Sequence, residues 1–247
     1  MPAVLYSPVG IGADAPCLIY YPGGGFVFPG APYHYTLAKQ YAVKANCRVL
    51  FVQYRLAPTY RFPVPVDDCY GAYCWAIDNA KKLQINSQKI AIGGDSAGGM
   101  LTAMVSICAR KNGNIMPCAQ MMVYPVTDQR GDTESMRKFT HTPMCNSRDI
   151  QKYLNLCMPK NKEQFDMVSP MEEDDLSSLP MAYIETAEFD CLRDDGINYA
   201  DRLQKAGIST RLYNTVGTMH GFDFITSSPV VQECVNKRVE FLTEAFK

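Results

Sequence analysis

The stretch Lys89-Ile-Ala-Ile-Gly-Gly-Asp-Ser-Ala-Gly-Gly-Met100 decides how this chain is read. A short β-rich run, Lys89 to Ile92, enters a tight glycine turn, and a segment rich in Ala and Met follows at helical spacing. Gly94 to Gly98 spells G-x-S-x-G across that turn. A serine on a sharp strand-to-helix turn is held in a strained backbone conformation that lifts its hydroxyl out of the sheet, and glycines two residues to either side leave it room. The helix that begins after Ser96 adds the positive end of its dipole. The bland alternative is an ordinary glycine-rich turn. The strand before the motif and the helix after it favour a nucleophile.

Working outward, further β-rich apolar runs lie at Cys17 to Tyr21, Arg48 to Tyr54, Ala119 to Tyr124, Met181 to Thr186 and Arg211 to Thr215. Segments of helical spacing separate most of them: His34 to Ala45, Val66 to Leu83, Ala97 to Arg110 and Arg193 to Ala206, with a last one from Pro229 to Phe246. This alternation predicts an α/β fold, a mainly parallel, doubly wound sheet with helices on both faces. Residues 127–179 contain no strand-length run and carry Pro143, Pro159 and Pro170. They read as an insertion with one or two helices, one of them Ser147 to Cys157 capped by Asn146 or Ser147, placed where it would form a cap over a site. With no linker or repeat, residues 1–247 read as one domain.

A serine hydroxyl is a weak nucleophile until a base takes its proton, and the base needs a carboxylate to fix its tautomer. The chain has three histidines, His34, His141 and His220. His220, in Thr218-Met-His-Gly-Phe just past the last strand run, stands where this architecture presents functional groups, at strand C-terminal ends. His34 and His141 read as structural or pocket-lining. Asp190 closes the strand Met181-Ala-Tyr-Ile-Glu-Thr-Ala-Glu-Phe and is the candidate carboxylate, whereas Asp194 and Asp195 suit the first turn of the next helix, where acids complement the dipole. For an oxyanion the chain offers Tyr20-Tyr-Pro-Gly23-Gly24-Gly25-Phe after the first strong strand, with backbone donors expected from Gly24, Gly25 and Ala97. A phosphate-cradling loop is the rival, and it lacks the G-x-x-x-x-G-K-[ST] pattern.

Composition narrows the classes. A net charge of -1 gives no general attraction to nucleic acid, and no segment resembles an export signal or a membrane span, so the expectation is a cytoplasmic, soluble chain. The ten cysteines are scattered without a C-x-x-C pair and read as reduced thiols. Three histidines without H-x-x-x-H spacing argue against a zinc site. No metal and no cofactor is expected.

These residues together resemble the hormone-sensitive lipase family of α/β-hydrolase esterases, in its GDSAGG branch. The resemblance rests on Gly94-Asp-Ser-Ala-Gly-Gly99, Tyr54-Arg-Leu-Ala-Pro58 with Phe62-Pro63 and Asp67-Asp68, Glu188-Phe-Asp-Cys-Leu-Arg-Asp194 and His220-Gly-Phe222, and it covers nearly the whole chain. The order Ser96, Asp190, His220 is also the α/β-hydrolase order. The resemblance implies hydrolysis of short-chain acyl esters through an acyl-enzyme, a small-molecule ester as partner, and a scaffold role for Arg55, Asp67 and Asp68. Two departures stand out. Pro22 replaces the histidine of the family's HGGG loop, and the chain begins almost at its first strands, so the cap is expected to be reduced. The competing functions are a lipase for longer chains, which the absence of a long amphipathic lid disfavours, and a non-catalytic small-molecule receptor on the same fold, which His220 disfavours. Self-association into a homo-oligomer stays open. The bulky Phe26, Phe28, Phe139 and Phe222 near the motifs fit small acyl groups.

Proline lacks an N–H and fixes φ near about -65°, which stiffens the entry to the glycine loop without touching the donors of Gly24 and Gly25. Pro22→His is therefore expected to change kcat less than about tenfold, whereas Gly25→Ala, which misdirects a donor, is expected to cost about a hundredfold or more. Steady-state assays on a chromogenic acetate ester decide this, and activity that appears only in Pro22→His would promote the receptor reading.

Overall fold

In a computed structural model of the chain, which describes residues 1–165 and 167–247, seven strands form one sheet among the described residues. They are β1 (Ala3–Tyr6), β2 (Ala15–Tyr21), β3 (Arg48–Val52), β4 (Ile85–Asp95), β5 (Ala119–Val123), β6 (Met181–Phe189) and β7 (Thr210–Met219). The order across the sheet is β1-β3-β2-β4-β5-β6-β7, with β1 antiparallel to β3 and the other pairings parallel. Helices α1 (Pro32–Lys44), α2 (Val64–Asp78), α3 (Ala80–Leu83), α4 (Ala97–Lys111), α5 (Glu134–Lys138), α6 (Ser147–Cys157), α7 (Arg193–Lys205) and α8 (Pro229–Ala245) complete the fold.

The mainly parallel sheet agrees with the sequence reading, and most element ends differ by a few residues. β1 is an addition, and the helix expected over Val66 to Leu83 is broken into α2 and α3 at Asn79, whose side-chain amide turns back to the Trp75 carbonyl (2.9 Å). Alternate residues of a strand serve opposite layers. In β2, Cys17, Ile19 and Tyr21 join Cys69 of α2 and Met100, Leu101 and Met104 of α4 in one core, while Leu18 and Tyr20 join Leu37 and Tyr41 of α1 and Val235 and Phe241 of α8 in the other. α4 is buried on almost every side, as an apolar helix in the middle of a layered fold must be.

The strand order places the functional edge. From β2 the chain steps outward to β3 and then returns to β4 on the other side of β2, so the loops after β2 and β4 meet at a topological switch point above the strand C-terminal ends. The insertion 127–179 holds α5, α6 and short 3-10 turns at Lys162–Gln164 and Pro170–Glu172. α6 is capped by Asn146, whose side chain accepts from the N–H groups of Arg148 and Asp149 (3.1 and 3.3 Å). The insertion is tied to the head of α7. Asp195 accepts from the N–H groups of Thr127 and Asp128 (3.3 Å each), and Asp194 accepts from that of Ser135 (2.7 Å). Complementing the α7 dipole therefore falls to Asp194, while Asp195 serves chiefly to hold the insertion. Burial raises the Asp195 carboxyl to about 8. No helix among the described residues is long and apolar enough to cross a membrane.

Behind the sheet, Arg238 of α8 is fully buried and spends all five of its N–H donors. Two go to Glu185 of β6 (2.6 and 3.0 Å), two to Asp223 (2.9 and 3.3 Å) and one to the Tyr41 hydroxyl (3.0 Å). Asp223 lies three residues beyond His220, so this cluster anchors the last functional loop. Arg238→Met is expected to lower stability by about 3–5 kcal/mol, because it strands two buried carboxylates. Both would then take up protons on folding, so the deficit should grow as pH rises above the ordinary carboxylate range of about 4. Urea unfolding of the variant at several pH values checks both magnitude and sign.

Candidate active site

Ser96 stands between β4 and α4 with φ 53° and ψ -117°, a conformation that a non-glycine residue adopts only under constraint. The constraint is visible. The Ser96 N–H donates to the Val123 carbonyl (2.9 Å), and its own carbonyl accepts from Gly99, Met100 and Val126. A Cβ on Gly94 or Gly98 would overlap the Tyr21 carbonyl at the end of β2, so the two glycines of the pentapeptide allow this turn to sit against the neighbouring strand.

β6 and β7 bring the other two candidates together. Phe189 pairs with Met219 in the sheet register, so the next residue on each strand, Asp190 and His220, emerge side by side. His220 Nδ1 lies 2.8 Å from Asp190 Oδ2, and Nε2 lies 2.9 Å from Ser96 Oγ. Asp190 Oδ1 accepts from the Leu192 N–H (2.9 Å), which orients the carboxylate. An ionised carboxylate only accepts, so Nδ1 carries the proton and Nε2 presents its lone pair to the serine hydroxyl. The Tyr124 ring packs against the imidazole with centroids 4.8 Å apart. Burial disfavours a charge on His220, and the Asp190 carboxylate, with a smaller contribution from Cys145, outweighs it and raises the pKa above the ordinary imidazole value.

Gly24 and Gly25 line the same cavity as Ser96 and His220. The Gly24 carbonyl accepts from the N–H groups of Val27 and Phe28 (3.0 and 2.9 Å), which sends the Gly25 N–H, on the other edge of that planar peptide, the opposite way. Ala97 opens α4, where an N–H has no partner within the helix. The arrangement places a hydroxyl in hydrogen-bond contact with an imidazole, beside the backbone of Gly24 and Gly25.

The cavity measures about 210 Å³, and its walls include Tyr33, Tyr124, Met144, Cys145, Ile150 and Tyr153. Of the four phenylalanines expected here only Phe28 lines it; Phe26 is buried in the core, Phe139 packs on Phe189, and Phe222 lies behind Tyr124. Proximity in sequence to a motif does not determine which way a side chain points. Ile150 and Tyr153, three residues apart on α6, are the wall that a 3.6-residue helical period would have suggested once the direction of that helix was known. The Tyr153 ring sits where a Cβ on Gly25 would come within 2.5 Å of it. Two larger hollows, of about 480 and 540 Å³, lie beside Pro22 to Tyr60 and near the end of β7, and Ser96 lines neither. His34 is buried against Asp95, whereas His141 is exposed and meets Thr140. Arg55 and Asp68 form a forked ion pair with its closest approach at 2.7 Å. Among the described residues no group of three His, Cys, Asp or Glu is placed to hold a metal ion.

Comparison with known proteins places these features in company. A family model described as alpha/beta hydrolase fold matches residues 18–224. Carboxylesterase NlhH of Mycobacterium tuberculosis is 33% identical over 250 residues, covering 99% of this chain and 78% of that protein. An arylesterase of Saccharolobus solfataricus is 33% identical over 224 residues, covering 90% and 72%. Among solved structures, an esterase of Pyrobaculum calidifontis superposes with a TM-score of 0.93 at 33% identity, covering 98% of this chain and 80% of that one.

Proposed function

This chain belongs to the hormone-sensitive lipase family of α/β-hydrolases and is a carboxylic-ester hydrolase, and on that premise we propose that it works through Ser96 as nucleophile, His220 as general base and Asp190 as the group that orients the histidine. The observation that carries this reading is the continuous line from Asp190 through His220 to Ser96, with contacts of 2.8 and 2.9 Å on a constrained strand-to-helix turn.

Ser96 Oγ attacks the ester carbonyl while His220 Nε2 takes its proton. The charge that develops on the carbonyl oxygen is met by the N–H groups of Gly24, Gly25 and Ala97. His220 then returns the proton to the leaving alcohol, an acyl group remains on Ser96, and water activated by the same imidazole releases the acid. Asp190 stabilises the imidazolium formed in each half-reaction. No cofactor enters these steps.

The substrate is, in this reading, a short-chain ester. A cavity of about 210 Å³ walled by Tyr153, Ile150 and Tyr124 supports acetyl to butyryl groups over long chains. α6 supplies two of those side chains, so the insertion 127–179 acts as a cap over the site of one α/β-hydrolase domain.

Ser96→Ala is expected to lower turnover of a short-chain ester by about four to six orders of magnitude, and His220→Ala nearly as much. A tenth of the parent activity in either variant overturns the assignment. Because the base must be neutral to act, kcat/KM should rise with pH through a midpoint above about 6.5. Asp190→Asn, which removes the charge that raises it, should move that midpoint down and cut kcat by about 10⁴. Across a series of esters from acetate to palmitate, kcat/KM should peak between acetate and butyrate; a maximum at palmitate would defeat the short-chain assignment.

A further inference from the structure

The peptide unit that joins Pro22 to Gly23, directly before the glycine donors, is held at both edges. Its carbonyl accepts from the buried Tyr54 hydroxyl (2.7 Å), and its N–H donates to Asp95 Oδ1 (3.0 Å). Asp95 is 2% exposed and takes two more donors, the Tyr20 hydroxyl on Oδ1 (2.7 Å) and His34 Nε2 on Oδ2 (2.9 Å). The His34 tautomer follows from its other nitrogen, since Nδ1 accepts from the Ala31 N–H (2.8 Å) and the proton must then sit on Nε2, facing the carboxylate. The Tyr33 ring covers the imidazole with centroids 3.9 Å apart. None of these bonds is used by the triad, although Asp95 is the residue before Ser96.

A buried carboxylate with three donors resists movement, because each lost bond exposes a charge to an apolar interior. Rotation of the 22–23 peptide would turn the Pro22 carbonyl oxygen toward the Asp95 carboxylate, two acceptors face to face. Pro22 restricts the chain on one side of this peptide, and Gly23 leaves it free on the other. Because Asp95 also belongs to the serine turn, one carboxylate ties both halves of the oxyanion site to a common reference.

We propose that Tyr54 and Asp95, the latter held by His34 and Tyr20, are positioning residues that grip the Pro22–Gly23 peptide and thereby aim the Gly24 and Gly25 N–H groups at the oxyanion. This rests on the ester-hydrolase reading above. The effect belongs to the transition state, so it shows in kcat and not in KM.

Three variants test it: Tyr54→Phe, which deletes one oxygen, His34→Ala, and His34→Gln, whose amide keeps a donor toward Asp95. Each is assayed on an acetate ester and against a trifluoromethyl ketone. Ser96 Oγ adds to the ketone carbon, its proton passes to His220, and the carbonyl electron pair becomes a bound oxyanion, so the inhibition constant reports oxyanion binding directly. Tyr54→Phe and His34→Ala should lower kcat about tenfold to a hundredfold, less than the roughly 10²–10³ for deleting a donor outright. KM should stay within about twofold, and the ketone should weaken by the factor lost in kcat. His34→Gln should recover most of the loss. Unchanged kcat and ketone affinity in folded Tyr54→Phe, or a loss confined to KM, overturns the proposal, and Tyr54→Phe alone decides if His34→Ala does not fold. Ser96→Ala run alongside separates the two readings: if it is inactive while Tyr54→Phe is unaffected, the clamp fails and the triad stands.

Discussion

Between Tyr21 at the end of β2 and Gly94 at the end of β4 there is no room for a side chain, and the arrangement of the site depends on that close approach. It lets the serine turn sit against the strand that leads into the glycine loop. Ser96, Gly24 and Gly25 then line one cavity, although they lie far apart in the chain. The cost is a backbone at Ser96 that a free chain would avoid, and the neighbouring segment offsets it, the Val123 carbonyl accepting from the Ser96 N–H and the Val126 N–H donating to the Ser96 carbonyl.

The opposite end of the site depends on charge more than on shape. His220 follows an edge strand and has the sheet on one side only, so its loop needs a separate anchor. Arg238 provides it by joining β6, α1 and Asp223 through a fully satisfied guanidinium. Such a group contributes less by its net energy than by allowing one arrangement of its partners, since every alternative leaves a buried charge unpaired.

Much of this was legible in the residues. The glycine–serine turn, the alternation of strand and helix and the small number of histidines led to Ser96, Asp190 and His220 as a set, and the structure brings those three side chains into contact. What could not be read was whatever depends on side-chain direction between distant elements. β1 escaped notice because Ala3 to Tyr6 is a half-exposed edge strand whose four residues carry no clear alternation. Asp195 looked like a residue serving a helix dipole, and the Thr127 and Asp128 N–H groups that it holds lie more than sixty positions away. His34 reads in the sequence as structural or pocket-lining, and nothing near it in the chain announces Asp95. The cavity walls were the weakest point, because aromatic residues next to motifs turned into the core while Tyr153, far from any motif, turned inward.

The contact between Tyr153 and Gly25 has a consequence for anyone who would redesign this protein. The ring that walls the cavity also fills the space beside Gly25, whose amide is proposed to stabilise the oxyanion, so the shape of the site and the setting of that loop share one residue. Trimming that ring to admit bulkier acids would also open space against Gly25, so a change aimed at substrate range would reach the proposed donor as well. Variants that widen the site from Met144 or Ile150 leave that ring in place, and they are the better starting points for directed evolution.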